Sequence, residues 1–258
     1  MSTTIAVPLT GRQNSIMDQL NQQGFVSTAE LAASLGVSDM TVRRDARQLA
    51  GRGLVRIVHG GVSLLNAVGH TADFAARASD DADGKRKVAL ACLQLIGERD
   101  SIIIDAGTTA FQIANELPGS FRGTLITHSA PTIQRSLQMK ARTICLGGEL
   151  LFDSQAFTGP ITIAALEGLR AQTAFIGVSG VHDESFYIER DIERPTKLAL
   201  MGAAERVVVV ATHGKMNRSA LVRLVDFSAV DVLVTDAAPP PDIRAALRAG
   251  SVELIVAE

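Results

Sequence analysis

The spacing of apolar positions changes character along the chain, and each change marks an element. Between residues 12 and 23, Ile16 and Leu20 recur at helical spacing, and Gly24 stops the segment. In STAELAASLGVS, Ser27 with Glu30 three residues on is a capping-box signature. Leu31, Ala32 and Leu35 form the apolar face of that helix, and Gly36 ends it. Ser38 can cap a third helix over residues 39–50. GLVRIVHGGV then alternates as a two-stranded hairpin does, broken at Gly60-Gly61. Two short helices, a Gly-containing turn, a third helix and a hairpin predict a winged helix-turn-helix over residues 11–63.

Residues 64–84 lose any sustained period and read as a linker with at most one helical turn. From Lys85 regularity returns, with Val88, Ala91, Cys92 and Leu95 on one helix face before the buried strand SIIID. Strand-like runs recur at TLIT, TICLG, AFIGVSG, VVVVAT, DVLVTD and VELIVA. Helical segments such as FQIANEL, PTIQRSLQ, ITIAALEGL, PTKLALMGAAE and DIRAALRAG separate most of them. Continuous apolar strands alternating with helices predict a mostly parallel sheet covered on both faces, an α/β domain over residues 85–258.

Composition changes this picture in one respect. The 258-residue chain is 47% hydrophobic, enough for a substantial core, and its net charge is −2. The first 63 residues nevertheless carry six arginines against four acidic residues, so the remainder is the acidic part. A basic module on an acidic body suits a polyanion partner for the module alone. Cys92 and Cys145 lie far apart without Cys or His neighbours at metal-ligand spacing, and both are expected as reduced core residues. No metal and no cofactor are expected. No signal-peptide pattern opens the chain, and no apolar run approaches the roughly 20 residues that span a bilayer, so a cytoplasmic protein without membrane contact is expected.

Arg43, Arg44, Arg47 and Arg52 fall within ten residues, with Arg56 and His59 just beyond. A solvated helix face is the ordinary reading of such a cluster. Its position on the third helix of a helix-turn-helix favours double-stranded DNA instead. On that reading Ser38, Met40, Thr41 and Arg43 face base edges, while Arg44, Arg47, Arg52, Arg56 and His59 meet phosphates. One of the arginines can alternatively pair with Asp45 inside the module.

S-x-x-T-V-R-R-D followed by R-I-V-H-G-G resembles the N-terminal signature of the DeoR family of bacterial transcriptional regulators. Thr41-Val42-Arg43-Arg44-Asp45 and His59-Gly60-Gly61 carry the likeness, with Ala46 where the family usually has Leu. The resemblance implies a repressor on operator DNA, and two-fold related half-sites there call for a homodimer or homotetramer. It also implies a C-terminal sensor domain that resembles sugar-phosphate isomerases and binds a phosphorylated sugar.

The strongest signal in the larger domain is IIIDAGTTAFQIA. There a strand ends at Asp105, and Gly107-Thr108-Thr109 opens a helix whose N-terminal N–H groups suit an anion. Thr127-His128-Ser129, Gly147-Gly148, Gly177 and Gly180 lie at other strand ends, which share one edge of a parallel sheet. Lys197 and Lys215 can supply positive charge. Asp105, Gly147-Gly148, Lys197 with Met201, and Val234-Thr235-Asp236 fit motifs of the DeoR sensor. Thr127-His128-Ser129 stands where the family usually has Thr-Asn-Ser, and Thr212-His213-Gly214-Lys215 where it has Asp-x-Ser-Lys, so the sugar end is altered. An isomerase-like enzyme with a basic appendage is the competing class. Asp105, Glu149, Glu193 and Asp236 are available carboxylates, but no pairing singles one out as a general base.

Overall fold

A computed structural model describes residues 9–23, 25–52, 54–58, 60–64 and 71–257. The chain divides into two compact units, Met1–Asp80 and Asp81–Glu258.

The first unit runs α1 (Gly11–Gln23), β1 (Phe25–Ser27), α2 (Thr28–Leu35), α3 (Asp39–Gly51), β2 (Val55–Val58), β3 (Gly61–Leu64) and α4 (Thr71–Ser79). Both halves of the capping box at the start of α2 are formed: Ser27 accepts from the Glu30 N–H, and Glu30 accepts from the Ser27 N–H. Gly36, in the left-handed conformation, closes that helix. The wing is a three-stranded antiparallel sheet of order β1-β3-β2, one strand more than the expected hairpin. Three residues of β1 are too few to show a period, so only pairing with β3 reveals that strand. Ile16, Leu20, Val26, Leu31, Val42, Leu49, Val55 and Val62 meet in one core. The stretch read as linker contains α4, which packs on the wing side with Ala76 against Phe25.

The second unit opens with α5 (Ala82–Leu93), β4 (Ser101–Ile104), α6 (Thr108–Glu116), β5 (Thr124–Thr127), α7 (Ala130–Ser136) and β6 (Arg142–Cys145). A short hairpin follows, β7 (Glu149–Leu151) with β8 (Ala156–Thr158), then α8 (Pro160–Leu166) and β9 (Ala171–Gly177). Strands β10 (Gly180–His182) and β11 (Ser185–Ile188) lead into α9 (Arg194–Gly202), β12 (Ala204–Val210) and β13 (Val222–Asp226). Finally come β14 (Val232–Thr235), α10 (Pro241–Ala249) and β15 (Glu253–Val256).

Seven strands form one parallel sheet of order β15-β14-β12-β9-β4-β5-β6. Its strands are apolar on both faces because both are covered. Ile102 and Ile104 pack with Val88, Cys92 and Ile113 on one side. Ile103 joins Leu166, Leu200, Met201 and Leu247 on the other. Strands β10, β11 and β13 make a separate antiparallel sheet that adds Phe186 and Leu224 to this second core, with Phe227 just after β13. The fold is therefore a winged helix-turn-helix followed by a mostly parallel α/β domain.

One core expectation fails. Cys92 is fully buried, and burial pushes its thiol up, but Cys145 is exposed. It ends β6, an outer strand of the sheet that is covered far less well than β4 or β9. Among the described residues no helix is long and apolar enough to cross a membrane.

Candidate functional site

Helix α3 separates its residues cleanly by face. Val42, Asp45, Ala46 and Leu49 are buried, whereas Met40, Arg43, Arg44 and Arg47 are exposed, at the i, i+3, i+4 and i+7 spacing of one stripe. Ser38 caps the helix, its hydroxyl oxygen accepting from the Thr41 N–H and lying 3.0 Å from the Thr41 hydroxyl. Ser38 and Thr41 thus have a structural task at the mouth of the helix, and Met40 and Arg43 project beside them. Arg52 follows as the exposed C-cap. Arg56 lies on β2, though its side chain, like His59 as a whole, is outside the described residues.

Asp45 is the one acid amid the arginines, and its partner comes from elsewhere. Arg12 of α1 holds it through Nε to Oδ2 and, at 3.2 Å, through Nη2 to Oδ1. Gln13 reinforces the same contact with a 2.8 Å bond to Gln48. The alternative in which a cluster arginine pairs with Asp45 is thus replaced by an Arg12 pair. Arg12 lies too far away in sequence for spacing to reveal it. The consequence is electrostatic: the carboxylate buried under α3 is neutralised from behind, which leaves the positive stripe undiminished.

In the second unit the strand order reverses between β4 and β9, and at such a point the carboxyl ends of parallel strands open a crevice. Asp105 follows β4 there and is fully buried. One carboxylate oxygen lies 2.9 Å from Nε2 of His128, which follows β5. The other accepts from the Lys197 ammonium and, at 2.9 Å, from the Gly177 N–H at the end of β9. Lys197, itself buried on α9, also donates to the Gly177 carbonyl at 3.0 Å. Burial alone would raise the Asp105 carboxyl, but Lys197 and His128 outweigh it and hold the group down at about 2. A carboxylate so fully engaged is a poor general base near neutral pH.

His128 ties this cluster to the β7–β8 hairpin. Its Nδ1 faces the Phe157 carbonyl oxygen at 2.7 Å and therefore donates. Nε2 then either accepts from the Ala106 N–H at 3.1 Å or, with a second proton, donates to Asp105. Backbone bonds from Phe157 N–H to the His128 carbonyl and from Ala130 N–H to the Gln155 carbonyl fix the hairpin on the same loop. Thr127 and Ser129 are buried and locally bonded: Thr127 Oγ1 donates to the Ile104 carbonyl, and Ser129 caps α7.

Gly107, Thr108 and Thr109 are half-exposed at the start of α6, which has no side-chain cap. The N-terminal end of that helix is thus open beside the buried cluster. Gly147 and Gly148 lie beyond β6, where packing explains the second glycine. A Cβ on Gly148 would lie 2.1 Å from Thr162 Oγ1, at a φ of 139° that few side chains adopt. Thr162 in turn donates to the Gly147 carbonyl at 2.6 Å. Lys197, not Lys215, is the lysine that reaches Asp105; Lys215 sits in a turn after β12. Gly177, noted only as a strand end, supplies both an N–H and a carbonyl to the cluster.

Two known families match these two units. The DeoR-like helix-turn-helix domain matches residues 12–68, and the DeoR C terminal sensor domain matches residues 80–237. The chain belongs to the DeoR family. It is a transcriptional regulator with a DNA-binding module and a small-molecule sensor domain, not an enzyme. The glycerol-3-phosphate regulon repressor of Escherichia coli (strain K12) is 30% identical over 95% of this chain and 98% of its own length. An L-fucose operon activator of Haemophilus influenzae (strain ATCC 51907 / DSM 11121 / KW20 / Rd) is 28% identical over 90% of this chain and 94% of its own. Among solved structures, ribose 5-phosphate isomerase A from Methanocaldococcus jannaschii has a TM-score of 0.39 at 18% identity, covering 53% of this chain and 55% of that one.

Proposed function

We propose that this DeoR-family regulator is a cytoplasmic repressor of a carbohydrate catabolic operon, released from its operator by a phosphorylated sugar or polyol. The observation that carries the effector class is the uncapped start of α6 at the sheet's switch point. There the N–H groups of Thr108 and Thr109 and the helix dipole favour a dianion. Lys197 is engaged with Asp105 and the Gly177 carbonyl, and Lys215, in the turn after β12, is the second lysine proposed to meet the phosphate, with Gly107 and Gly147-Gly148 lining the approach. Asp105, Thr127, His128 and Ser129 act on this reading mainly by shaping the crevice, since their polar atoms are already bonded to one another and to backbone. The β7–β8 hairpin, fastened to His128, is the element whose position an effector changes.

On the DNA side, Met40 and Arg43 read bases, with Ser38 and Thr41 at the same helix end. Arg44, Arg47, Arg52, Arg56 and His59 contact phosphates. A homodimer or homotetramer places two such modules on a two-fold operator, which multiplies weak single-module affinity.

The test is a thermal-shift panel of sugar phosphates, glycerol 3-phosphate included because of the relative's name, each beside its unphosphorylated parent. A specific effector at about a hundred times its dissociation constant stabilises the native state by roughly 2.7 kcal/mol. The same compound should release the protein from its operator in a gel-shift assay. A parent sugar that works as well as its phosphate would sink the anion site. Tighter operator binding with effector would replace repression with activation.

A further inference from the structure

A second cluster lies at the same edge of the second unit but shares no residue with the proposed effector crevice. Asp81, His213 and Asp236 come from three separate stretches of chain, yet one ligand-type atom from each lies within 4.8 Å of the others. Asp236 follows β14 and His213 follows β12, while Asp81 precedes α5. His213 Nδ1 stands 2.7 Å from Asp236 Oδ2, and the His213 N–H donates to Asp236 Oδ1 at 2.6 Å, which orients the carboxylate.

Two features set this group apart from a chance surface ion pair. Asp81 occupies the N-cap position of α5 in a left-handed backbone conformation, and its carboxylate makes no cap bond to the helix. It turns toward the other two residues instead. Gly84 then leaves the meeting point clear, since a Cβ there would lie 2.6 Å from Asp81 Oδ1 and 2.8 Å from Asp236 Oδ2. The two carboxylates therefore converge over one side-chain-free spot, where a cation would be attracted to both.

We propose that Asp81, His213 and Asp236 form a binding site for a divalent transition-metal ion of the zinc type. Two carboxylates balance the charge of such an ion. One imidazole nitrogen selects against magnesium and calcium, which prefer all-oxygen shells. Three protein donors leave a fourth position open. Ligands about 2.0–2.1 Å from zinc stand roughly 3.3–3.4 Å apart in a tetrahedron, so the His213 ring needs to retreat only slightly from Asp236. With 61% of its side chain exposed, the ring is free to do so. Bound metal would pin the start of α5 to the ends of β12 and β14.

The experiment is equilibrium dialysis of the full chain, stripped with a chelator, against Zn2+ and in parallel against Mn2+, which thiols bind poorly. The expected result is one ion per chain, with His213→Gln and Asp236→Asn each weakening affinity more than about 100-fold, beyond what loss of an outer-shell partner causes. Circular dichroism confirms that both variants are folded. Cys145→Ser should bind as the parent does. No uptake by the parent chain at millimolar ion would overturn the site and leave the His213–Asp236 contact as a hydrogen-bonded pair. Uptake that survives His213→Gln, or that vanishes in Cys145→Ser, would overturn it as well.

Discussion

Replacing Lys197 by Met tests the buried cluster most directly. The change keeps much of the stem but removes the ammonium from Asp105 Oδ2 and from the Gly177 carbonyl. Asp105 has no exposed surface and keeps the Gly177 N–H as a donor, with His128 Nε2 beside its other oxygen. Removing one member of a buried ion pair costs about 3–5 kcal/mol, because the remaining charge is left uncompensated. For a domain of this size that corresponds to a fall in melting temperature of roughly 6–20 °C.

The effect must also depend on pH. In the parent protein the Asp105 carboxyl is depressed from 3.8 to about 2. Its contribution, about 2 kcal/mol at 1.36 kcal/mol per pH unit, is present above pH 4 and lost as the pH falls toward 2. In Lys197→Met burial prevails and the carboxyl rises, so protonation relieves the variant where it weakens the parent. The deficit should therefore be largest near neutrality and shrink as the pH falls, first as the variant's raised carboxyl takes up its proton and then, below about pH 4, as the parent loses its own stabilisation. Calorimetry of both proteins between pH 7 and pH 3 measures it. A deficit no larger than the ~1 kcal/mol of a surface pair would refute the reasoning. So would a deficit that stays constant with pH. Adding Asp105→Asn should restore part of the loss, since no unpaired charge then remains.

Three further outcomes are expected. Arg43→Ala should weaken operator binding by about 1–3 kcal/mol and relax preference at one base position, read by gel shift on a set of operator variants. Unchanged affinity and preference would show that α3 is wrongly placed in the groove. Arg56→Ala should weaken binding alike on all sequences and reduce the slope of log affinity against log salt by about one. Gly148→Ala should destabilise the second unit by about 1–3 kcal/mol, from strain at positive φ and overlap with Thr162, measured by thermal denaturation. Full stability in that variant would mean the loop after β6 is freer than its packing indicates.

Much of the architecture was legible in the residues alone. The capping box Ser27–Glu30, the cap at Ser38 and the seven apolar strand runs are local facts, set by hydrogen-bond geometry and side-chain period over a few neighbours. The exposed basic stripe of α3 follows from the same helical period, and the opening of α6 at Gly107-Thr108-Thr109 is local as well. Three-residue elements such as β1, β7 and β10 were not legible, because so short a stretch shows no period and forms only against a partner.

Only the tertiary structure decided which charges meet. Spacing gave no hint that Arg12, rather than a neighbour on α3, neutralises Asp45. Nor did it show that Lys197 rather than Lys215 closes on Asp105, or that Asp81, His213 and Asp236 converge. These groups lie far apart along the chain and are brought together by strand order. For Asp45 and Asp105 the pairing is fixed by the cost of burying a charge alone, a cost that appears only once the surrounding chain has excluded water.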